Sequence, residues 1–383
     1  MTSQLAIWDT PEAKEQGIAE ERPEYLTEQL ITYIGNKRSL LGVIKQGLDK
    51  VKARISKQRL RILDGFAGSG VVSRYFKQHA EYVVSNDIEP YAEVIGKCYL
   101  TNESAIDRDA LTAELNSLRE QLEDSALEAG IITRLYSPKD DRNIEHGERV
   151  FYTGRNARYL DTARRLIAEI PESRRHYFLA PLLSEASVHV NTSGVFKGFY
   201  KCSRTGIGKF GGNAENALTR ILRKIEVRLP VLSRFECDWS VHRADTNLLV
   251  KELPELDVAY YDPPYNQHPY GSNYFMLNLL VDYGEPKSLS PVSGIPADWR
   301  RSRYNNRSEA MQAMRQLVRD TKAGHILISF NSEGFISRES MEKMLVEFGK
   351  VETIAVPYNT FRGCRNLNDR DIHVSEFLFI VER

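Results

Sequence analysis

The chain has 383 residues, and 52 Lys plus Arg are balanced by 52 Asp plus Glu, so net charge gives no pull on a polyanion and such a partner must be met by a local basic face. Its four cysteines (Cys98, Cys202, Cys237, Cys364) are scattered without a CxxC pair, which excludes a zinc knuckle or disulfide framework and reads as reduced cytoplasmic thiols. No apolar run approaches membrane-spanning length, and the first thirty residues carry Glu and Asp where a signal peptide would be apolar, so a soluble cytoplasmic protein with neither a membrane nor a metal partner is expected.

Residues 1–28 are polar, acidic and aperiodic, and are expected to be a flexible arm. Leu30, Ile31, Tyr33 and Ile34 then lead into Gly35-Asn-Lys-Arg, after which Leu40, Leu41, Ile44 and Leu48 recur at helical spacing. Arg61-Ile-Leu-Asp-Gly-Phe-Ala-Gly-Ser-Gly70 is a short apolar strand running into a small-residue turn, with a helix over 71–78 behind it. A second strand, 82–87, ends in Asp87 and is followed by a helix over 91–100. Strand, glycine turn, helix, strand, helix is the opening of a doubly wound α/β sheet.

Residues 101–229 interrupt that rhythm. Helices are predicted over 113–129 and 157–170, an apolar stretch over 177–187, and then a loop rich in Gly, Lys and aromatics from Asn191 to Gly212. The reading is an inserted, mainly helical region between two parts of one sheet domain, 29–100 and 230–383. Strands resume over 240–243 and 258–261, and a polar stretch over 282–308 holds Trp299, Arg300, Arg301, Arg303 and Arg307. A helix (310–321), a strand (325–330), a helix (338–348) and a hairpin around Arg362-Gly-Cys-Arg365 close the chain.

Two segments carry chemistry. In Asp64-Gly-Phe-Ala-Gly-Ser-Gly70 the glycines let backbone approach a ligand, and the following helix presents its N-terminal amides. Asp87, nineteen residues after Gly68, is placed to accept ribose hydroxyls, whereas the missing third glycine argues against naming a dinucleotide. Gly206-Ile-Gly-Lys-Phe lacks the Ser/Thr and spacing of a phosphate loop. The strand Val258-Ala-Tyr-Tyr261 ends abruptly in Asp262-Pro-Pro-Tyr265. Prolines cannot continue a ladder, but they fix the Asp262 carboxylate and the Pro263 carbonyl as two stiff acceptors, with Tyr265 as a flat face beside them. Two rigid acceptors suit the two hydrogens of an exocyclic amine, and the implied chemistry is methyl transfer from S-adenosylmethionine to an amino nitrogen.

With these residues in place, the sequence resembles the Dam-type, alpha-group DNA N6-adenine methyltransferases. Their N-terminal cofactor motif, glycine motif, inserted target-recognition region and DPPY motif occur here in the same order. The resemblance implies a Rossmann-like methyltransferase sheet. Thr32 to Leu41 is similar to the family's first motif, which implies that Tyr33 and Lys37 hold the cofactor's methionine end. Asp64, Phe66, Ala67, Gly68, Ser69 and Gly70 correspond to the glycine motif, Asp87 and Ile88 to the ribose and adenine site, and Asp245 to the acid that reads the cofactor's adenine. Asp262, Pro263, Pro264 and Tyr265 correspond to the catalytic unit. Ile328 to Glu333 resembles a later strand motif only loosely, and Asn331 is given no role.

Over residues 197–228, eight basic side chains (Lys197, Lys201, Arg204, Lys209, Arg220, Arg223, Lys224, Arg228) face two acids (Glu215, Glu226), with Phe196, Phe199, Tyr200 and Phe210 between them. This suits a surface that follows phosphates and enters a groove, with Lys197, Lys201, Arg204 and Lys209 as the first candidates. The loops at 300–307 and 362–370 are alternatively DNA-flanking or plain surface. Double-stranded DNA is the expected partner, with base flipping to bring adenine to Asp262. The resemblance also implies a restriction–modification or phage or bacterial DNA-modification setting, with a cognate restriction endonuclease as a candidate partner. Structured RNA as substrate, or a binding protein of the same fold without turnover, are the competing readings.

Overall fold

The computed structural model describes residues 21–124, 126–212, 217–359 and 373–383. Among them, seven strands form one sheet: β1 (Leu60–Asp64), β2 (Ala80–Asn86), β3 (Asp238–His242), β4 (Leu256–Tyr261), β5 (Ala323–Asn331), β6 (Lys350–Asn359) and β7 (His373–Glu382). Their order is β3-β2-β1-β4-β5-β7-β6, with the first five parallel and β7 antiparallel to both β5 and β6. The expected closing hairpin is therefore present as β6 and β7, although its tip, with Cys364 and the 361–371 loop, lies outside the described residues.

Strand alternation divides the core between two faces. Leu63, Val84, Ala259, Tyr261, Ile326, Ile328, Phe377 and Phe379 share one cluster with helices Thr246–Glu252, Arg307–Asp320 and Arg338–Leu345. Ile62, Val83, Val258, Tyr260, Leu327, Leu378 and Ile380 share another with helices Leu41–Ile55 and Val71–Phe76. After β1 the chain winds outward to β2 and β3, then crosses back to β4 on the other side of β1. This reversal leaves a crevice above the carboxyl ends of β1 and β4, where open α/β sheets bind ligands.

The inserted helices share their core with the sheet domain. Helices Arg108–Asp124, Ile131–Tyr136, Gly154–Glu169 and Glu172–Val188 share one cluster with Tyr91, Ile95 and Tyr99 of helix Pro90–Tyr99 and with Phe275 to Leu280 of helix Phe275–Asp282. The long first helix begins earlier than its leucines suggest, because the Asp107 side chain accepts from the Ala110 amide (2.9 Å) and caps it. Helix Phe275–Asp282 buries every side chain from Phe275 to Leu280, Asn278 included, so it lacks the polar face that marks an amphipathic helix in a sequence.

The arm also ends sooner than expected. Residues 1–20 lie outside the described residues, but Pro23–Thr27 is a helical turn whose Tyr25 is 0% exposed and whose hydroxyl donates to the Tyr99 carbonyl (2.6 Å). Buried Arg74 donates to the carbonyls of Tyr25 and Glu28. One turn is too short to carry a period, so its two buried side chains, Tyr25 and Leu26, are invisible as a pattern. Among the described residues no helix is long and apolar enough to cross a membrane.

Sharing of the core has a measurable consequence. Leu183, fully buried in the insertion, is expected to cost about 2–5 kcal/mol as Leu183→Ala. Calorimetry should show one unfolding transition moving down as a whole; a separate early transition, with the sheet domain unchanged, would contradict the shared core.

Candidate active site

The crevice is built from three chain turns tied by one side chain. Gly65 donates to the Tyr260 carbonyl (3.0 Å) and Ala67 to the Asn86 carbonyl (2.9 Å). The Asn86 amide donates to the carbonyls of Gly65 (3.2 Å) and Ala244 (3.1 Å) and to Thr246 Oγ1 (3.1 Å), and its oxygen accepts from the Ala244 amide (3.1 Å). Gly65 sits where a Cβ would come within 2.7 Å of the Tyr261 ring, so the turn closes directly against β4. Gly68 and Gly70 take left-handed φ of +52° and +74°, which frees the amide of Gly68 to donate to Asp87 Oδ2 (2.8 Å). Asp87 Oδ1 accepts from the Glu89 amide (3.0 Å). Burial pushes the Asp87 carboxyl up, while these backbone donors pull it back.

An open cavity lies here. Its lining brings together Tyr33, Lys37, Phe66, Ala67, Gly68, Ser69, Asp87, Ile88, Asp245, Asp262 and Pro264 from the sequence-derived set. Asp64 stands behind the wall, fully buried, accepting from the Ser73 hydroxyl (2.6 Å). Gly70 starts the helix Val71–Phe76 and buried Pro263 is also set back. Tyr265 lies beyond the cavity, with the Lys37 ammonium 5.9 Å from its ring centre and the Phe330 ring edge-on to it. Asp245 caps helix Thr246–Glu252 by accepting from the Asn247 amide (2.8 Å).

The centre of the site is an ion cluster. Lys37 Nζ lies 3.0 Å from Asp262 Oδ1 and 3.8 Å from Glu376 Oε2. The Lys37 side chain is 5% exposed and that of Asp262 is 17% exposed. Burial pushes the Asp262 carboxyl up to about 6; Lys37 works against the rise and Glu376 adds to it. For Lys37, burial disfavours the charge, but Asp262 and Glu376 outweigh it and hold the ammonium above its ordinary value. Asp64 is pushed up to about 7, first by burial and then by Asp262, against the Ser73 hydrogen bond.

The wall opposite Asp262 is aromatic. Tyr33 lies nearly parallel to Tyr274 (centroids 4.6 Å) and Tyr270 (5.1 Å), and a Cβ on Gly68 would strike its hydroxyl at 2.8 Å. Tyr270 belongs to a short helix, Tyr270–Asn273, and lines the cavity, whereas His268 before it is exposed. The arginine stretch read from sequence as DNA-flanking or plain surface instead straps the cavity. Arg300, Ser302, Arg303, Tyr304 and Asn305 line it. Tyr304 packs edge-on to Phe66 (5.4 Å) and donates to Asn247 Oδ1 (2.9 Å), and Asn305 donates to the carbonyl of Asn266, next to Tyr265 (2.8 Å). Glu376 and the tying role of Asn86 carry no local signal in the sequence, because each acts through space, and the strap shows there only as an arginine-rich stretch.

The basic stretch divides. Lys197, Lys201 and Arg204 are exposed and Lys209 half-buried on a finger closed by the bridge Lys201–Gly208 and the bond from the Cys202 amide to the Ile207 carbonyl (2.8 Å). Two others have partners within the chain: Arg220 donates to the carbonyls of Val188, Val190 and Thr192, and exposed Arg228 pairs with Glu28 and Glu185. Phe196 is core, beside Tyr274 and Phe275, and Phe199 packs on Phe151, so neither is free to enter a groove. Glu215 lies outside the described residues.

Comparison with known proteins gives the same picture. Residues 33–344 match the family model described as D12 class N6 adenine-specific DNA methyltransferase. The chain is 28% identical to the type II methyltransferase M.NlaIII of Neisseria lactamica, over 92% of this chain and 99% of that protein. It is 27% identical to the type II methyltransferase M.CviAII of Paramecium bursaria Chlorella virus 1, over 92% and 98% respectively. With the modification methylase StsI of Streptococcus sanguinis it shares 28% identity over 92% of this chain, which spans 52% of that longer protein.

Asp64 yields a pH prediction. Its carboxyl binds a proton more tightly folded, at about 7, than at the ordinary value of 3.8, so the stability it contributes is present below that ordinary value and lost as pH rises through about 7. Asp64→Asn is therefore expected to raise the melting temperature of the ligand-free protein by several degrees at pH 8 and by much less at pH 5. An equal shift at both, or a loss at pH 8, would contradict the assigned cause.

Proposed function

Because the chain belongs to the D12 class of N6 adenine-specific DNA methyltransferases, we propose that the crevice takes S-adenosylmethionine and that Asp262-Pro-Pro-Tyr265 receives an adenine flipped out of a specific DNA sequence. The observation that carries this reading is that Asp262 and the glycine turn share one cavity wall. The residues suit the cofactor chemically. The turn from Phe66 to Ser69 lines the cavity, Asp87 stands fixed between two amides for ribose hydroxyls, Ile88 adds an apolar edge, and Asp245 offers an acceptor to an adenine amine. Tyr33 and Lys37 would border its methionine end, with Asp64 supporting the turn from behind. When bound, S-adenosylmethionine supplies an electrophilic methyl group carried on a sulfonium.

The chain's own residues prepare the nucleophile. The lone pair of an adenine amine is delocalised into the ring, and acceptors for both its hydrogens favour the pyramidal form that can attack. Asp262 and the Pro263 carbonyl are those acceptors, and Pro263 and Pro264 hold them still. Tyr265 gives the base a face to stack on. With its carboxyl near 6, Asp262 is ionised at neutral pH and still basic enough to receive the proton that the amine releases. Lys37 is the cation that lets a carboxylate stay charged in so enclosed a place.

The finger carrying Lys197, Lys201, Arg204 and Lys209 meets the phosphates in this reading. A restriction–modification role, with a cognate endonuclease as companion, is supported by relatives named as type II methyltransferases and a modification methylase.

Asp262→Ala is expected to lower the yield of N6-methyladenine by roughly a hundred- to a thousandfold while DNA affinity stays within a few fold. Labelled cofactor and nucleoside digestion measure this, and label in N4-methylcytosine would overturn the reading. Lys201→Ala and Arg204→Ala should each weaken DNA binding across all sequences and reduce the slope of log affinity against log salt by about 1. An unchanged slope would remove the finger from the interface.

A further inference from the structure

Glu376 has no part in the reading above, yet it lies at the centre of the site. The antiparallel pairing of β7 with β5 sets it directly opposite Asn331, whose side-chain amide donates to Glu376 Oε1 (2.9 Å). Both residues are buried, at 6% and 2% exposure. The other oxygen, Oε2, has no hydrogen-bond partner and faces the Lys37 ammonium at 3.8 Å, while that ammonium makes its close contact with Asp262 at 3.0 Å.

Two carboxylates thus share one cation, and the cluster carries a net negative charge. A structural role alone would not call for this. Asn331 needs only an acceptor, which the neutral amide of glutamine supplies at the same length, and burying an extra carboxylate beside another costs stability unless its charge is used. Accepting the catalytic role of Asp262, on which this inference rests, we propose that Glu376 is a positioning residue that draws the Lys37 ammonium away from Asp262, leaving the Asp262 carboxylate a stronger acceptor for the amine and its departing proton. Lys37 keeps Asp262 ionised, and Glu376 limits how far that stabilisation goes. Asn331 holds Glu376 at the right distance.

The charged and titratable groups that interact with Asp262 are Lys37 from the N-terminal loop, Asp64 from β1, Tyr260 from β4, Tyr265 and Tyr270 beyond it, and Glu376 from β7, with Glu333 beyond β5 acting on Tyr265. Glu376 raises Asp262, so its removal has a definite sign. The Asp262 carboxyl should titrate at lower pH.

The test uses Glu376→Gln and Glu376→Asp in the full chain. Expected are cofactor and DNA affinities within about twofold of the parent, and a single-turnover methylation rate at neutral pH lower by roughly ten- to a hundredfold for Glu376→Gln. The acid limb of the pH–rate profile should move to lower pH. In the ligand-free protein, the midpoint of the Asp262 carboxyl, followed by carbon-13 NMR, should move the same way. Glu376→Asp withdraws the charge by one methylene and should give a smaller move in the same direction, deciding the matter alone if Glu376→Gln does not fold. A midpoint and acid limb that stay in place in the folded variants would overturn the proposal, whatever the rate. Asp262→Asn measured alongside keeps the two readings apart: full activity there removes the catalytic role of Asp262, whereas an inactive Asp262→Asn beside an unshifted Glu376 variant removes only the role of Glu376.

Discussion

In the proposed reaction the carboxylate of Asp262 has to stay charged in a place where charge is costly. Most of its side chain is withdrawn from water, and the cation that makes this tolerable, Lys37, comes from the far end of the sequence. Several features of the fold serve that meeting. β4 is a central, fully covered strand, so its carboxyl end is fixed to within the tolerance of a hydrogen bond. The loop holding Lys37 is anchored by Tyr33, which lies against Tyr270 and Tyr274, and by the Tyr274 hydroxyl, which accepts from the Ile34 amide (2.7 Å). β7, inserted between β5 and β6, brings the second carboxylate. The pair therefore depends on both ends of the chain as well as its middle.

What could be read from sequence follows how local each signal is. The glycine turn, the acids at the ends of β1 and β2, and the Asp262-Pro-Pro-Tyr265 stop are each written in a few consecutive residues, and all lie at or directly behind the crevice. β1, β2 and β4 likewise read as short apolar runs, as strands covered on both faces do. Glu376 could not be found in this way, because its importance comes from the pairing of β7 with β5 and nothing beside it in the chain suggests an active site. Asn86 was legible only as a neighbour of Asp87; its work as a tie between β1, β2 and the turn before Thr246 is a property of the sheet order. The strap at 300–305 reads as polar surface until Tyr304 is seen against Phe66.

The basic stretch illustrates the opposite error, in which a real compositional signal gathers residues with different duties. A count of charges does not separate Lys201, which stands in solvent, from Arg220, whose guanidinium ends three carbonyls of the loop it follows. Long cationic side chains serve backbone carbonyls as readily as phosphates, since both are oxygen acceptors. Burial and partners distinguish the two, and those are properties of the folded chain.

The shared hydrophobic cluster of the insertion bears on how such a protein can change. Helix Glu172–Val188 packs against helix Pro90–Tyr99, which directly follows Asp87, and against helix Phe275–Asp282, which begins ten residues after Tyr265. The insertion is not a cassette that can be lifted out and replaced by another, since a transplant would leave helices Pro90–Tyr99 and Phe275–Asp282 facing water. On the proposed reading, divergence of the recognised site falls to the exposed finger, where side chains can be exchanged without disturbing the layer behind Asp87 and Asp262.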